Sequence, residues 1–157
     1  MYSHDFNVHI ISTSDIQKQQ NISKPGPAIV GTAIRRDGII AAYSNSKGEI
    51  TIRDIVRKAH LKSYKKHRDP AYALEFTYAD SVLISADDEK VINFFDYSKG
   101  KIVTRMEKCH DDFIRVVRAM KSSTSTFLSG GYDKIVKLWD VRVEEKLQYQ
   151  YLHEDEV

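Results

Sequence analysis

His67, His110 and His153 stand 43 residues apart, and Asp54, Asp96 and Asp140 follow in step at intervals of 42 and 44. Two residue columns keeping one period constrain the fold more than any composition can. A chain built this way repeats one supersecondary unit that cannot bury its apolar side alone and must stack on its neighbours. Three copies of a roughly 43-residue unit are present. Within each copy the apolar residues alternate with a period of two, as in Ile50-Thr51-Ile52-Arg53, and β-branched and aromatic residues dominate. Short runs of that kind, cut by Asp, Asn and Gly, read as half-buried strands.

Four strands are expected per copy. The first strands are Ala28–Arg35, Ala71–Thr77 and Phe113–Met120, and the second are Gly38–Ser44, Ser81–Ser85 and Thr126–Gly130. The third are Glu49–Ile55, Val91–Tyr97 and Ile135–Val141, and the fourth are Ala59–Lys65, Lys101–Glu107 and Lys146–Leu152. Turn residues separate them, such as Arg-Asp-Gly at 36–38 and Tyr-Asp-Lys at 132–134. The N-terminal segment adds a third strand at Phe6–Ser12 and a fourth at Lys18–Ile22, closed by the break at Lys24-Pro25-Gly26-Pro27. No helix of normal length is expected. The resulting units are a half unit at 1–26 and full units at 27–69, 70–111 and 112–157.

A period in the forties, four strands and a Trp-Asp close resemble the WD-repeat β-propeller. The copy FLSGGYDKIVKLWDVR at 127–142 carries the resemblance best. It implies an all-β fold, a partial propeller of about three and a half four-stranded blades. It also implies a structural tetrad of His110, Ser129, Asp133 and Trp139, in which Trp donates, Ser donates and accepts, and His links to the carboxylate. In the middle copy Phe95 stands in place of Trp, and ADDEK at 86–90 leaves either Asp88 or Glu89 as the turn carboxylate. In the first full copy Arg53 replaces Trp and Lys47 replaces Asp, so that blade has no tetrad and is expected to be the least rigid.

The order of copies, RRDGIIAAYSN, then ISADD, then CHDDFIRVVRAMKSSTSTFLSGGYDKIVKLWDVR, further resembles a WD-repeat subunit of the small-subunit processome, the Utp15 type of the UtpA (t-UTP) subcomplex. The opening His110, Asp112, Phe113, Ile114, Arg115 before Gly131-Tyr132-Asp133 is similar to that family's pattern. This resemblance implies a non-enzymatic scaffold in nucleolar ribosome biogenesis and pre-rRNA processing. Its partners would be other proteins of a multi-subunit complex and pre-ribosomal RNA, and its location the nucleolus, with the cytoplasm as the alternative. The family's helical C-terminal region has no counterpart here. A second reading starts from Trp139-Asp140-Val141-Arg142, similar to the WDxR pattern of WD-repeat substrate receptors of cullin-RING ubiquitin ligases, with Arg142 as the contact residue.

Closed propellers have about four to eight blades. Three and a half leave strand edges and blade faces open, so the chain reads as a fragment, a truncated product or part of a ring closed with other chains.

Composition narrows the function classes. Twenty-four Lys and Arg against 22 Asp and Glu leave a net charge of +2, too little for a dedicated nucleic-acid domain. The longest apolar stretch, Gly38 to Tyr43, is far short of the ~20 residues of a membrane helix. MYSHDFNV lacks the basic-then-apolar pattern of a secretory signal. The one cysteine, Cys109, has no partner for an internal disulfide. Cys109-His110 lacks further ligands at metal spacing, and the pairs Asp87-Asp88 and Asp111-Asp112 fall in turns, where Asp caps the backbone. Ser129-Gly130-Gly131 lacks the strand–turn–helix context of a nucleophile elbow. Neither catalysis, a cofactor, a metal nor a small-molecule substrate is expected.

The remaining candidates are contact residues. Arg57, Lys58, Lys62, Lys65, Lys66 and Arg68 cluster on or beside a fourth strand. They read either as edge lysines that discourage strand pairing or as phosphate contacts with RNA. Arg115 and Tyr132 are expected to face a partner, with Arg115 also able to pair with Asp111 or Asp112.

Overall fold

The computed structural model describes residues 8–11, 19–21, 26–78 and 81–154. All its regular structure is strand. Twelve strands form three four-stranded antiparallel sheets: β3 (Ile29–Ile34), β4 (Ile40–Asn45), β5 (Glu49–Asp54) and β6 (Ala59–Lys65); β7 (Ala73–Phe76), β8 (Val82–Ala86), β9 (Ile92–Asp96) and β10 (Lys101–Met106); and β11 (Ile114–Ala119), β12 (Thr126–Gly131), β13 (Ile135–Asp140) and β14 (Leu147–Leu152). In each sheet the strands pair in chain order. These are propeller blades, and the first strands β3, β7 and β11 pack side by side. A two-stranded antiparallel sheet precedes them, β1 (His9–Ile11) with β2 (Gln19–Asn21). The other residues of the expected N-terminal strands, Val8 apart, lie outside the described residues.

The inner strands of the first two blades are buried on both faces, whereas β13 of the third is mostly half-buried. Ala42, Ile50 and Ile52 of the first blade pack against Leu74, Phe76 and Leu83 of the second. Ile84, Ile92 and Phe94 of the second pack against Val117, Phe127 and Trp139 of the third. Ring contacts cross the same seams, with Tyr64 edge-on to Phe95 at 4.7 Å and Phe94 against Phe127 at 5.0 Å.

The Asp column explains itself at the end of each third strand. Asp54 Oδ1 accepts the Arg57 N–H at 2.7 Å, Asp96 Oδ1 the N–H groups of Ser98 and Lys99, and Asp140 Oδ1 the Arg142 N–H. A carboxylate there caps the turn into the outer strand. The Ser98 hydroxyl and Lys99 N–H hold the Asp96 carboxyl at about 2, and Arg142 does the same for Asp140, also at about 2. At the opposite end, the turn between second and third strands closes with a residue at positive φ: Gly48 (74°), Lys90 (65°) and Lys134 (63°). Each donates its N–H three residues back, to Asn45, Asp87 and Gly131.

Candidate interaction surface and blade-locking networks

The strand order puts the second-to-third turns and the blade-to-blade loops at one end of the sheets, and the polar networks form there. In the third blade the Trp139 indole N–H donates to Ser129 Oγ at 2.8 Å. Ser129 Oγ is 2.6 Å from His110 Nε2, and His110 Nδ1 is 2.7 Å from Asp133 Oδ2. One proton arrangement satisfies all of it: neutral His110 carries its proton on Nδ1 and donates to the carboxylate, while Nε2 accepts from the Ser129 hydroxyl. Burial pushes the His110 imidazole below its ordinary 6.5, which agrees with that arrangement. Burial opposes ionisation of Asp133, but the N–H groups of Asp111 and Ile135, with His110, hold its carboxyl below the usual range.

The middle blade builds a second network. His67 Nε2 lies 2.7 Å from Ser85 Oγ, and His67 Nδ1 lies 2.6 Å from Asp87 Oδ2. The expected turn carboxylate, Asp88 or Glu89, is therefore corrected to Asp87. The register gives the reason. Ala86 pairs with Ile92 as Gly130 pairs with Val136, so Asp87 occupies the place of Gly131, and Glu89 the place of Asp133. Glu89 reaches outward to Arg68 at 4.0 Å. Asp87 turns in, its Oδ1 also accepting the Val91 N–H at 3.1 Å. Gly131 cannot be substituted this way, because a Cβ there would sit 2.2 Å from the Phe113 carbonyl oxygen. Phe95 takes the Trp139 position and is fully buried.

The sequence reading missed two supports of these networks. Lys137 Nζ donates to the Cys109 carbonyl at 2.7 Å, and Asn93 at the matching register position donates to the Lys66 carbonyl at 3.4 Å. Both fix the residue that precedes the network histidine. The signal was available: one period links Asn93 to Lys137 as it links His67 to His110. In the first blade Arg53 holds the Trp position and donates to the Lys58 carbonyl at 3.1 Å. The position one period before His67 lies outside the described residues. Burial pushes the Cys109 thiol up to about 12, which favours the protonated form at neutral pH.

Arg115, on β11, lies at this end of the seam between second and third blades. Its guanidinium stands 4.4 Å from the Tyr72 ring, 4.7 Å from Tyr132 and 5.0 Å from Phe113. Its ion pair is with Asp88 at 2.7 Å, which corrects the expected pairing with Asp111 or Asp112. With Asp87 committed to His67, Asp88 is the carboxylate left on the neighbouring blade. Asp112 instead accepts the Phe113 N–H, and the Asp111 carbonyl takes Lys90 Nζ. Tyr72, Phe113 and Tyr132 remain 38%, 39% and 41% exposed, so the three rings form an open patch around a fixed cation.

The basic cluster is strung out rather than gathered. Arg57 and Lys58 occupy the turn before β6, whereas Lys65 ends the strand and Lys66 and Arg68 lie past it, about 20 Å away at ~3.3 Å per residue. Lys62 opposes Ile52 and Lys65 opposes Glu49, placing them on opposite faces of the strand. Lys66 lies over the Phe95 and Tyr64 rings at 5.3 and 5.7 Å and donates to the Gly100 carbonyl. Exposed Arg142 folds back onto Asp140 through Nε at 3.0 Å and Nη2 at 2.5 Å.

Residues 100–140 match the WD domain, G-beta repeat family. The U3 small nucleolar RNA-associated protein 15 homolog of Xenopus tropicalis is 26% identical over 120 residues, 76% of this chain and 23% of that protein. The Schizosaccharomyces pombe U3 small nucleolar RNA-associated protein 15 is 25% identical over 74% of the chain and 24% of its own length. The ribosome biogenesis protein WDR12 homolog of Aedes aegypti is 29% identical over 55% and 21%. The chain thus spans about a quarter of the length of these relatives. Among solved structures, a chain of the mitotic checkpoint complex superposes with a TM-score of 0.83 at 18% identity, covering 97% of this chain and 46% of that one. The structure of U3-55K gives 0.76 at 17% identity, covering 87% and 43%. The blade order and these superpositions make the fold a partial β-propeller, and residues 100–140 within it match a WD repeat.

Proposed function

We propose that the chain is a non-enzymatic scaffold of nucleolar small-subunit ribosome assembly, working within a multi-subunit complex that acts on pre-ribosomal RNA. The observation that carries this reading is the similarity to U3 small nucleolar RNA-associated protein 15 homologs across three quarters of the chain. The relative named as a ribosome biogenesis protein points the same way. On this reading the Arg115, Tyr72, Phe113 and Tyr132 patch takes a protein partner. Half-exposed aromatic rings around an arginine are the residue types that carry binding energy at protein interfaces. The exposed cations of the β6 edge, Arg57, Lys58, Lys62 and Lys65, contact RNA phosphates without reading sequence.

The test is affinity purification of the endogenously tagged protein with both proteins and RNA identified. Processome subunits recovered with pre-ribosomal RNA are the expected result. Reversing the charge of Lys62 and Lys65 should then weaken RNA recovery and flatten its salt dependence, while Tyr132→Ala should release protein partners. Recovery of a cullin-RING ligase, lost on Arg142→Ala, would replace this reading with the substrate-receptor one. Recovery of neither would overturn both.

A further inference from the structure

The Arg115 patch is built on aromatic rings, and the charges around it select what it accepts. The guanidinium lies over the rings of Tyr72, Phe113 and Tyr132, and Asp88 already neutralises it. Phe113 and Tyr132 meet near edge-on, their centroids 6.3 Å apart, and the ring surface that Arg115 does not cover is left to solvent. The patch therefore offers aromatic faces with no net positive charge of its own. An aromatic face carries the negative part of the ring quadrupole and attracts a cation.

The surroundings carry the same sign. The segments that hold these residues, 68–72, 87–90, 111–115 and 131–134, contain seven acids against four bases, although the chain as a whole stands at +2. Asp87 and Asp133 serve the histidine networks, Asp88 holds Arg115, and Glu89 reaches Arg68. Asp111 and Asp112 directly precede Phe113, and among the described residues neither carboxylate has an ion pair. Lys90 Nζ donates to the Asp111 carbonyl, and Asp112 Oδ1 accepts the Phe113 N–H. The Lys134 ammonium rests in the same way on a backbone carbonyl, that of Glu154. Such a surface repels a phosphate backbone and an acidic peptide alike. A Lys or Arg side chain suits it, because the methylene stem lies along the rings while the charged head meets a carboxylate.

We propose that the partner segment seated on the Arg115 patch is rich in Lys and Arg, its cations stacking on Phe113 and Tyr132 and pairing with Asp111 and Asp112. The inference rests on the reading of this patch as a protein-docking surface. It divides the molecule by charge, with basic polypeptide at this seam and RNA at the β6 edge. The experiment titrates the whole chain, at low and at physiological salt, with a short unstructured peptide of repeated Arg-Gly and Lys-Gly pairs. A Glu-Gly peptide of the same length and an oligouridine RNA are titrated beside it. The basic peptide should bind, and more weakly as salt rises. Asp111→Asn/Asp112→Asn keeps the acceptor for the Phe113 N–H and should weaken that binding about three- to tenfold at low salt. Tyr132→Leu keeps apolar bulk without the ring and should weaken it about two- to fivefold. Tyr132→Phe and Lys62→Gln/Lys65→Gln should leave it unchanged, and circular dichroism should report the same strand content in every variant. No binding of the basic peptide, or binding indifferent to both the carboxylate and the ring changes, would overturn the proposal. So would binding of the Glu-Gly peptide or the RNA that Tyr132→Leu weakens. In the tagged protein, partners lost on Tyr132→Ala but kept on Asp111→Asn/Asp112→Asn would overturn it while the docking reading survives.

Discussion

Removing one hydroxyl should cost different amounts in two adjacent blades. Ser129→Ala leaves two buried groups without partners, the Trp139 indole N–H and His110 Nε2. An orphaned buried polar group costs about 1–3 kcal/mol, so the loss for two should be about 2–6 kcal/mol. Ser85→Ala orphans only His67 Nε2, because Phe95 brings no donor to Ser85. The Asn93 side-chain nitrogen already lies 3.3 Å from that imidazole nitrogen and can replace part of the bond. A loss of about 1 kcal/mol is expected there. Equilibrium urea unfolding of both variants, followed by circular dichroism and by fluorescence of the one tryptophan, measures the difference, and coincident transitions license the free energies. A third variant isolates the cause. Adding Trp139→Phe to Ser129→Ala removes the orphaned donor and puts a phenyl ring where the middle blade has Phe95, so the double variant should lose at least about 1 kcal/mol less than the sum of the single losses. Equal losses at Ser129 and Ser85, or strict additivity in the double variant, would refute the hydrogen-bond accounting.

Three further outcomes follow from the same geometry. His110 is held below its ordinary 6.5, so near that pH the unfolded chain binds more protons than the folded one. Stability should therefore be complete above about pH 6.5 and fall as the pH drops through the folded value. Asp133, held below 3.8, adds a second loss of the same sign at lower pH; a melting temperature that stays flat or rises from pH 7 to pH 5 would contradict this. Gly131→Ala forces a methyl to within 2.2 Å of the Phe113 carbonyl oxygen and should cost about 2–3 kcal/mol in denaturant titration; full stability in that variant would show that the β11–β12 pair gives way more easily than its register implies. Cys109, buried and with its thiol pushed up to about 12, should react with a disulfide reagent only as fast as the chain opens. Labelling that is fast under native conditions would mean the second-to-third seam opens locally.

The fold was legible because its signal is redundant: two columns, a period-two pattern and turn residues all specify the same four-stranded unit. His110, Ser129, Asp133 and Trp139 fall in one chain of hydrogen bonds because the best-kept copy places each at its motif position. What was illegible depends on side-chain length and register. Asp87, Asp88 and Glu89 are three consecutive acids, and only the backbone pairing of Ala86 with Ile92 shows which one turns inward. Once Asp87 is committed, Asp88 is available to Arg115, a consequence two blades wide that no local window contains. The basic cluster misled for the opposite reason. Nearness in sequence suggests a patch, but a strand separates its residues along its length and between its faces.

His67 follows the last strand of the first sheet, yet its imidazole is clasped by Ser85 and Asp87 of the second; His110 does the same one sheet later. The segment repeated in the sequence and the sheet that folds are thus out of phase, offset by a loop, so every joint between blades is made of material from both sides. A gene that gained or lost one whole period, cut at any point, would still deliver a histidine to every serine and carboxylate downstream. Copying a sheet without its loop would instead leave a blade without its key, and deleting one that way would leave a key with no lock. Arrays of this kind can therefore lengthen or shorten by copying errors that ignore the boundaries of their blades.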